Sequence, residues 1–108
     1  MASQPDPGNT TTSTLDLTFL VKEHDGEFAG LCLELDIAAC GQSVEDAIEA
    51  LKGLIELYVL DCVAMSEIPV PLRPATRDAI AEFLRPPMGL ANAPLFTHRE
   101  VMPVYAPA

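Results

Sequence analysis

Four carboxylates in the first half of the chain have residue types and spacing that could support metal-dependent phosphodiester cleavage. They are Asp16, Glu34, Asp36 and Glu45. Acidic side chains on adjacent strands and a nearby helix can hold two divalent cations that stabilise the attacking and leaving oxygens. Glu45, however, falls at the start of a predicted helix, where a solvated negative charge complements the helix dipole. The sequence therefore predicts no metal site and no catalytic residue.

Two histidines and three cysteines are the remaining candidates for acid–base or nucleophilic chemistry. His24 lies beside a predicted turn and His98 in a predicted C-terminal arm, and the sequence offers neither a partner that would position it. Cys32, Cys40 and Cys62 occur in apolar contexts without a C-x-x-C pair, which predicts buried, reduced thiols rather than a zinc site or disulfides. The glycines do not form a phosphate-binding loop, so we expect no cofactor.

The distribution of charge favours a protein partner. Residues 1–67 hold 13 acidic residues and two lysines, a net charge of −11, whereas residues 68–108 hold three acidic residues and four arginines, a net charge of +1. Such an acidic field repels phosphate backbones and attracts a basic partner. A role in solubility alone is the alternative.

Length and composition limit the architecture to one domain. A chain of 108 residues, of which 49% are apolar, is long enough for one compact domain and too short for two. Its small size favours self-association. Residues 1–14 lack the basic and apolar regions of a secretory signal and are predicted to be a disordered arm. No apolar run reaches the length of a membrane span, which predicts a soluble protein without a membrane partner. The unpaired cysteines predict a reducing, cytoplasmic location.

Alternating apolar residues predict two strands and a turn. The first strand begins at Leu15, and Asp25-Gly26 has the residue types of a two-residue hairpin turn. The apolar face of the second strand is predicted to consist of Ala29, Leu31, Leu33 and Leu35. A short third strand is predicted over residues 36–40.

A long amphipathic helix is predicted to begin at Val44. Ser43 is a suitable N-cap, and the acids that follow it complement the helix dipole. One broad apolar face is expected to cover the sheet. A second apolar strip remains, and it consists of Ala50, Gly53, Leu57, Leu60 and Ala64. This strip predicts packing against either a later helix or a second subunit, with Gly53 allowing close approach of another backbone at a cost of about 1 kcal/mol relative to alanine.

Prolines divide the remainder of the chain. Pro69 and Pro71 end the helical region and favour an extended segment. A short helix is predicted over residues 75–85, and residues 95–105 have a weak strand pattern that Pro103 restricts to a sheet edge. The predicted organisation is an arm over residues 1–14, a domain over 15–71 and an extension over 72–108.

Sixteen residues between the second strand and the end of the helix form a specific pattern. They are Leu35-Asp36-Ile37-Ala38, Gly41, Ser43-Val44-Glu45-Asp46-Ala47, Leu51-Lys52 and Ile55-Glu56-Leu57-Tyr58. This pattern resembles the HicB-like antitoxin family, whose usual run is a strand ending in Pro-Glu-Leu, a glycine turn, a capped acidic helix start and a helix ending in Glu-Leu-Tyr. Leu33, Ala50 and Gly53 depart from the usual residues of that family.

The resemblance implies both a fold and a function. The implied fold is α+β, a degenerate ribonuclease-H-like β-β-β-α-β arrangement in which one long helix covers a three- to four-stranded antiparallel sheet, here with a short second helix and a C-terminal arm. HicB-like proteins bind and neutralise a small basic mRNA-cleaving toxin of the HicA type, form dimers or higher oligomers and often repress their own operon. The resemblance therefore implies a dimer or tetramer. Repression uses an appended DNA-binding motif, and residues 72–108 contain one short predicted helix and no second recognition helix, which argues against DNA binding.

The candidate functional surfaces are therefore interfaces. The predicted partner-binding residues are Glu34, Asp36, Glu45, Glu49 and Glu56, and the second apolar strip is the predicted oligomer interface. The leading interpretation is a non-enzymatic antitoxin. The alternatives are a solitary structural or regulatory module without a toxin partner, and an operon repressor.

Overall fold

A four-stranded antiparallel sheet carries one long helix on one of its faces. The structure is a computed structural model that describes residues 9–85 and 94–107. The elements are β1 (Asn9–His24), β2 (Glu27–Cys32), β3 (Ile37–Gly41), α1 (Val44–Ala64), α2 (Arg77–Leu84) and β4 (Leu95–Pro107). The strand order is β3-β2-β1-β4. These elements confirm the predicted α+β class with an antiparallel sheet, one long helix and a short second helix.

The pairing of β1 with β4 corrects the predicted organisation at both ends of the chain. Asn9 lies opposite Pro107 and Lys22 lies opposite Leu95, so the two strands pair along nearly their whole length. Residues 9–14 therefore belong to β1 and not to the predicted arm of residues 1–14, whose first eight residues lie outside the described ranges. The predicted edge strand over residues 95–105 is confirmed as β4. It pairs with β1 and is consequently part of the main sheet and not of a separate extension.

The face of β2 that packs against α1 carries Gly30 and Cys32, and not the leucine of the predicted apolar face. Phe19 lies opposite Cys32 and Val21 lies opposite Gly30. Directly opposed residues of an antiparallel pair point to the same face, and Phe19, Val21 and Cys32 are fully buried. Ala29 and Leu31 share the other face, as predicted, and Leu31 is buried there. Leu33 and Leu35 do not continue that face, because they lie in the turn that follows β2.

β2 also ends earlier than predicted, because the chain turns after Cys32. Residues 33–36 form the turn, in which the Asp36 amide donates to the Cys32 carbonyl at 2.9 Å. Asp36 has φ of +54°, a left-handed conformation that aspartate tolerates better than most residues. Leu35 is nevertheless buried and belongs to the core cluster, since the turn directs it inward. The short third strand follows at Ile37, one residue after the predicted start.

The core lies between α1 and the central strands. The buried residues of α1 are Ala47, Leu51, Ile55 and Cys62. Their spacing is that of one helical face, as the sequence predicts, although Leu54 at the edge of that face is 43% exposed. Ser43 caps the helix as predicted, because its Oγ accepts a hydrogen bond from the Asp46 amide at 3.0 Å.

α2 lies on the side of the sheet opposite α1. Lys22 follows the inward-facing Val21 and so points away from α1, and its Nζ is 4.9 Å from the centroid of the Phe83 ring. The segment before α2 is fixed to the β2–β3 turn by a hydrogen bond from the Ala75 amide to the Leu33 carbonyl at 2.8 Å. Neither helix of the described chain has the length and apolar character needed to cross a bilayer.

Candidate functional site

The carboxylates considered for metal chemistry lie apart in the structure. Asp16 is exposed on β1 and Glu45 is exposed in the first turn of α1, while Glu34 is half-buried in the β2–β3 turn. Within residues 9–85 and 94–107, no group of three or more His, Cys, Asp or Glu side chains is placed to hold a metal ion. The arrangement offers no support for a two-metal site.

The Glu34 carboxylate is hydrogen-bonded to β1. Its Oε1 accepts a hydrogen bond from the Thr18 amide at 2.7 Å, and its Oε2 accepts one from the Thr18 hydroxyl at 2.9 Å. β2 ends at Cys32. The Glu34 carboxylate therefore accepts the hydrogen bond from the Thr18 amide that the carbonyl of a further β2 residue would otherwise accept. A carboxylate engaged in this way is not free for a partner protein, and Glu34 is therefore the weakest member of the predicted binding set.

The other four predicted partner-binding residues are exposed. They are Asp36, Glu45, Glu49 and Glu56. The three glutamates recur at helical spacing along one side of α1. Glu49 lies 3.7 Å from the ammonium group of Lys52, whereas Glu56 makes no ion pair with any residue that the structure describes. These three glutamates form an acidic row that is accessible to a basic partner.

The second apolar strip of α1 is uncovered in the described part of the chain. Leu57 and Leu60 are 61% and 63% exposed, and a Cβ built on Gly53 would meet no atom within 4 Å. Ala64 is exposed and Ala50 is half-buried. The prediction that the strip packs against the later helix is wrong, because α2 lies on the opposite face of the sheet. A second subunit remains the predicted cover.

His98 and Glu100 form a pair that sequence reasoning missed. His98 lies in β4 rather than in an arm, its Nε2 is 2.8 Å from Glu100 Oε1, and its ring centroid is 5.6 Å from that of Phe19. The spacing of two residues places both side chains on one face of a strand, which is the signal that could have revealed the pair. His24, by contrast, is an exposed residue beside the turn, as predicted.

The three cysteines have different environments. Cys32 and Cys62 are buried as predicted, but Cys40 is exposed. Cys40 lies opposite Ala29 in the edge strand β3, on the face that points away from α1, which explains the wrong prediction. Burial raises the pKa of the Cys32 thiol, so this group is held in its protonated, unreactive form.

Tyr58 anchors the segment that follows α1. Its hydroxyl donates a hydrogen bond to the Pro71 carbonyl at 2.7 Å, and burial raises the pKa of Tyr58. The tyrosine therefore remains a neutral donor at physiological pH. It fixes the extended segment against the side of the helix.

Comparison with family models, with curated proteins and with solved structures finds no match for this chain. The functional interpretation consequently depends on the residues and on the geometry of the described chain. The candidate site is the exposed surface of α1. It has two parts, the exposed acidic row and the uncovered apolar strip.

Proposed function

We propose that this chain is a non-enzymatic, cytoplasmic antitoxin of a type II toxin–antitoxin system, similar to the HicB-like family, that neutralises a basic HicA-type mRNA-cleaving toxin. The observation that carries the proposal is the exposed acidic row of Glu45, Glu49 and Glu56. It lies in the part of the chain that holds a net charge of −11 (residues 1–67). A basic RNA-binding surface is the natural complement of such a row.

The proposed mechanism is occlusion. A toxin that cleaves mRNA must bind phosphates through lysine and arginine, and these side chains attract the carboxylates of the antitoxin. Charge complementarity accelerates the encounter, while the bulk of the sheet and helix excludes RNA from the toxin surface. No group of the antitoxin needs to react.

The structural roles of the motif residues support the proposal. Gly41 allows the start of α1 to approach β3, Ser43 caps α1, and Tyr58 anchors the segment after it. These residues fix the position of α1 on the sheet and so present its acidic side to solvent. The observed β-β-β-α order is also the order that the resemblance implies.

A neutralisation assay tests the function. The chain is mixed with a HicA-type toxin encoded beside its gene, and cleavage of a labelled mRNA is followed; we expect an equimolar amount of the chain to suppress cleavage. The Glu45→Lys/Glu49→Lys variant should associate more slowly, by about tenfold at low salt. Glu23→Lys/Glu27→Lys changes charge equally at the far end of the β1–β2 hairpin and is the control. Absence of toxin binding at micromolar concentration contradicts the proposal.

The uncovered strip favours a second, compatible proposal, that the chain is a homo-oligomer whether or not it has a toxin partner. We expect light scattering coupled to size-exclusion chromatography to give at least a dimer. Leu57→Asp should shift the chain toward the monomer, because it places a charge in the centre of the apolar contact. Leu72→Asp, at a leucine that is 55% exposed outside the strip, should not. A wild-type monomer at high micromolar concentration overturns this assignment.

An operon repressor has less support. Among the described residues, α2 is the only helix after α1, and it has eight residues. A helix-turn-helix requires a second, recognition helix.

A further inference from the structure

An open groove runs between α1 and the second half of β4. It consists of two adjoining hollows of about 210 and 380 Å³ that share Glu56, Met102, Pro103 and Tyr105. The helix side of the groove adds Val59, Leu60 and Val63. The lining is therefore mostly apolar, with charged side chains at the rim.

We propose that this α1–β4 groove is the docking site for a basic amphipathic segment of the partner protein. Apolar side chains of the segment enter the groove, and its lysines or arginines lie against Glu56 and the neighbouring acidic row. The identity of the natural partner rests on the proposed function, but the chemistry of the groove does not.

The rim of the groove is negatively charged. Glu56 makes no ion pair within residues 9–85 and 94–107, and the Glu100 carboxylate is hydrogen-bonded to His98. Lys52 also lines the second hollow, but its ammonium lies 3.7 Å from Glu49. The acidic row continues the same side of α1 toward its N-terminus. An occupant with positive charge flanking an apolar stripe satisfies both features of the groove.

The same charges disfavour a second copy of the chain as the occupant. A two-fold dimer uses the same patch on both subunits, so the acidic rims of both copies would be brought into one interface. Like charges juxtaposed at an interface oppose association. Self-association is better served by the strip centred on Leu57, which shares only Leu60 with the groove and carries no charged residue of its own.

The wall formed by β4 favours recognition through side chains. β4 is an edge strand, and an open edge can accept an added strand through its backbone groups. Pro103, which lines both hollows, has no amide hydrogen to donate to such a strand. Side chains of the occupant must therefore supply most of the contact, and an amphipathic helix presents them at a suitable density.

Binding of a synthetic peptide tests the groove without a natural partner. The probe is a fluorescein-labelled helical peptide of about 14 residues made only of leucine and lysine, with the leucines on one face, titrated with the full chain and read by anisotropy. A leucine–glutamate peptide of the same pattern should not bind. Glu56→Gln should weaken the lysine peptide about two- to fivefold, and Tyr105→Ser about tenfold.

Matched controls lie outside the groove. Glu27→Gln makes the same charge change at the Asp25-Gly26 turn, and Phe96→Ser removes an aromatic ring that is 43% exposed in the other half of β4. Neither should alter peptide affinity. Equal weakening by test and control variants, or no effect of Glu56→Gln and Tyr105→Ser, overturns the proposal. So does a homodimer that these two substitutions dissociate.

The outcomes separate this inference from the antitoxin proposal. If a HicA-type toxin is neutralised equally well by wild-type chain and by Tyr105→Ser, the function stands and the groove is wrong. No toxin binding, together with lysine-peptide binding that weakens as expected in both variants, would support the groove as a docking site for another basic partner.

Discussion

Replacing Gly41 with alanine is expected to destabilise the fold by about 2–3 kcal/mol, the usual cost of forcing atoms into a filled space. A Cβ at this position would lie 2.5 Å from the Ala47 amide nitrogen and 2.7 Å from the Asp46 carbonyl carbon. Both are backbone atoms of the first turn of α1, so no side-chain rotation can relieve the contact. The helix itself must move away from β3.

Urea unfolding followed by circular dichroism measures this effect, and Gly53→Ala is the matched control. A Cβ on Gly53 meets nothing within 4 Å, and alanine is favoured over glycine within a helix by about 1 kcal/mol. The control should therefore stabilise the chain. It is best measured in the Leu57→Asp background, which removes any effect of self-association. Equal stability of Gly41→Ala and wild type would contradict the close approach of α1 to β3.

Local signals were sufficient where one residue determines the geometry. Ser43 marks the helix start because its hydroxyl meets an amide three residues later, and Asp25-Gly26 marks the hairpin because both residues adopt positive φ, at +52° and +81°. Exposure of Glu45 and Glu56 follows from helical periodicity alone. These features depend on neighbours within a few residues, so the sequence contains them directly.

The face of β2 required information from two strands. A two-residue turn places His24 opposite Glu27, and continuing this register brings Phe19 opposite Cys32. Alternation within β2 favoured the larger leucines instead, because Gly30 looks unsuited to a core. The register outweighs the size of the side chains, since a slip by one residue would turn every side chain of the strand to the other face.

Some features of the candidate site could likewise be predicted from local sequence, and others could not. The acidic row and the strip were predicted because they depend on one helix. The engagement of Glu34 was not, because its partner Thr18 lies 16 residues away. The groove was not predicted either, because it joins α1 to a strand in which Phe96, His98, Glu100 and Met102 mix apolar and polar residues on one face.

Truncation of Leu51 to alanine is expected to cost about 3 kcal/mol, and the loss should depend on residue 30. Leu51 is fully buried, and removal of a buried leucine leaves a cavity that the core fills only partly. A Cβ built on Gly30 would lie 2.8 Å from Leu51 Cδ1, so this leucine occupies the space that the glycine leaves empty. Gly30→Ala alone should therefore cost about 1 kcal/mol through overpacking.

The double variant distinguishes this complementarity from two independent losses. With Leu51 shortened, the new methyl group on residue 30 enters the vacated space, so the double variant should be about 1 kcal/mol more stable than the sum of the single changes predicts. Combining Gly30→Ala with Ile55→Ala is the control, because Ile55 is not among the nearest neighbours of that Cβ position. That pair should be additive. Additivity of Gly30→Ala with Leu51→Ala would contradict the contact between Leu51 and residue 30. It would also contradict the register that turns Gly30 and Cys32 toward α1.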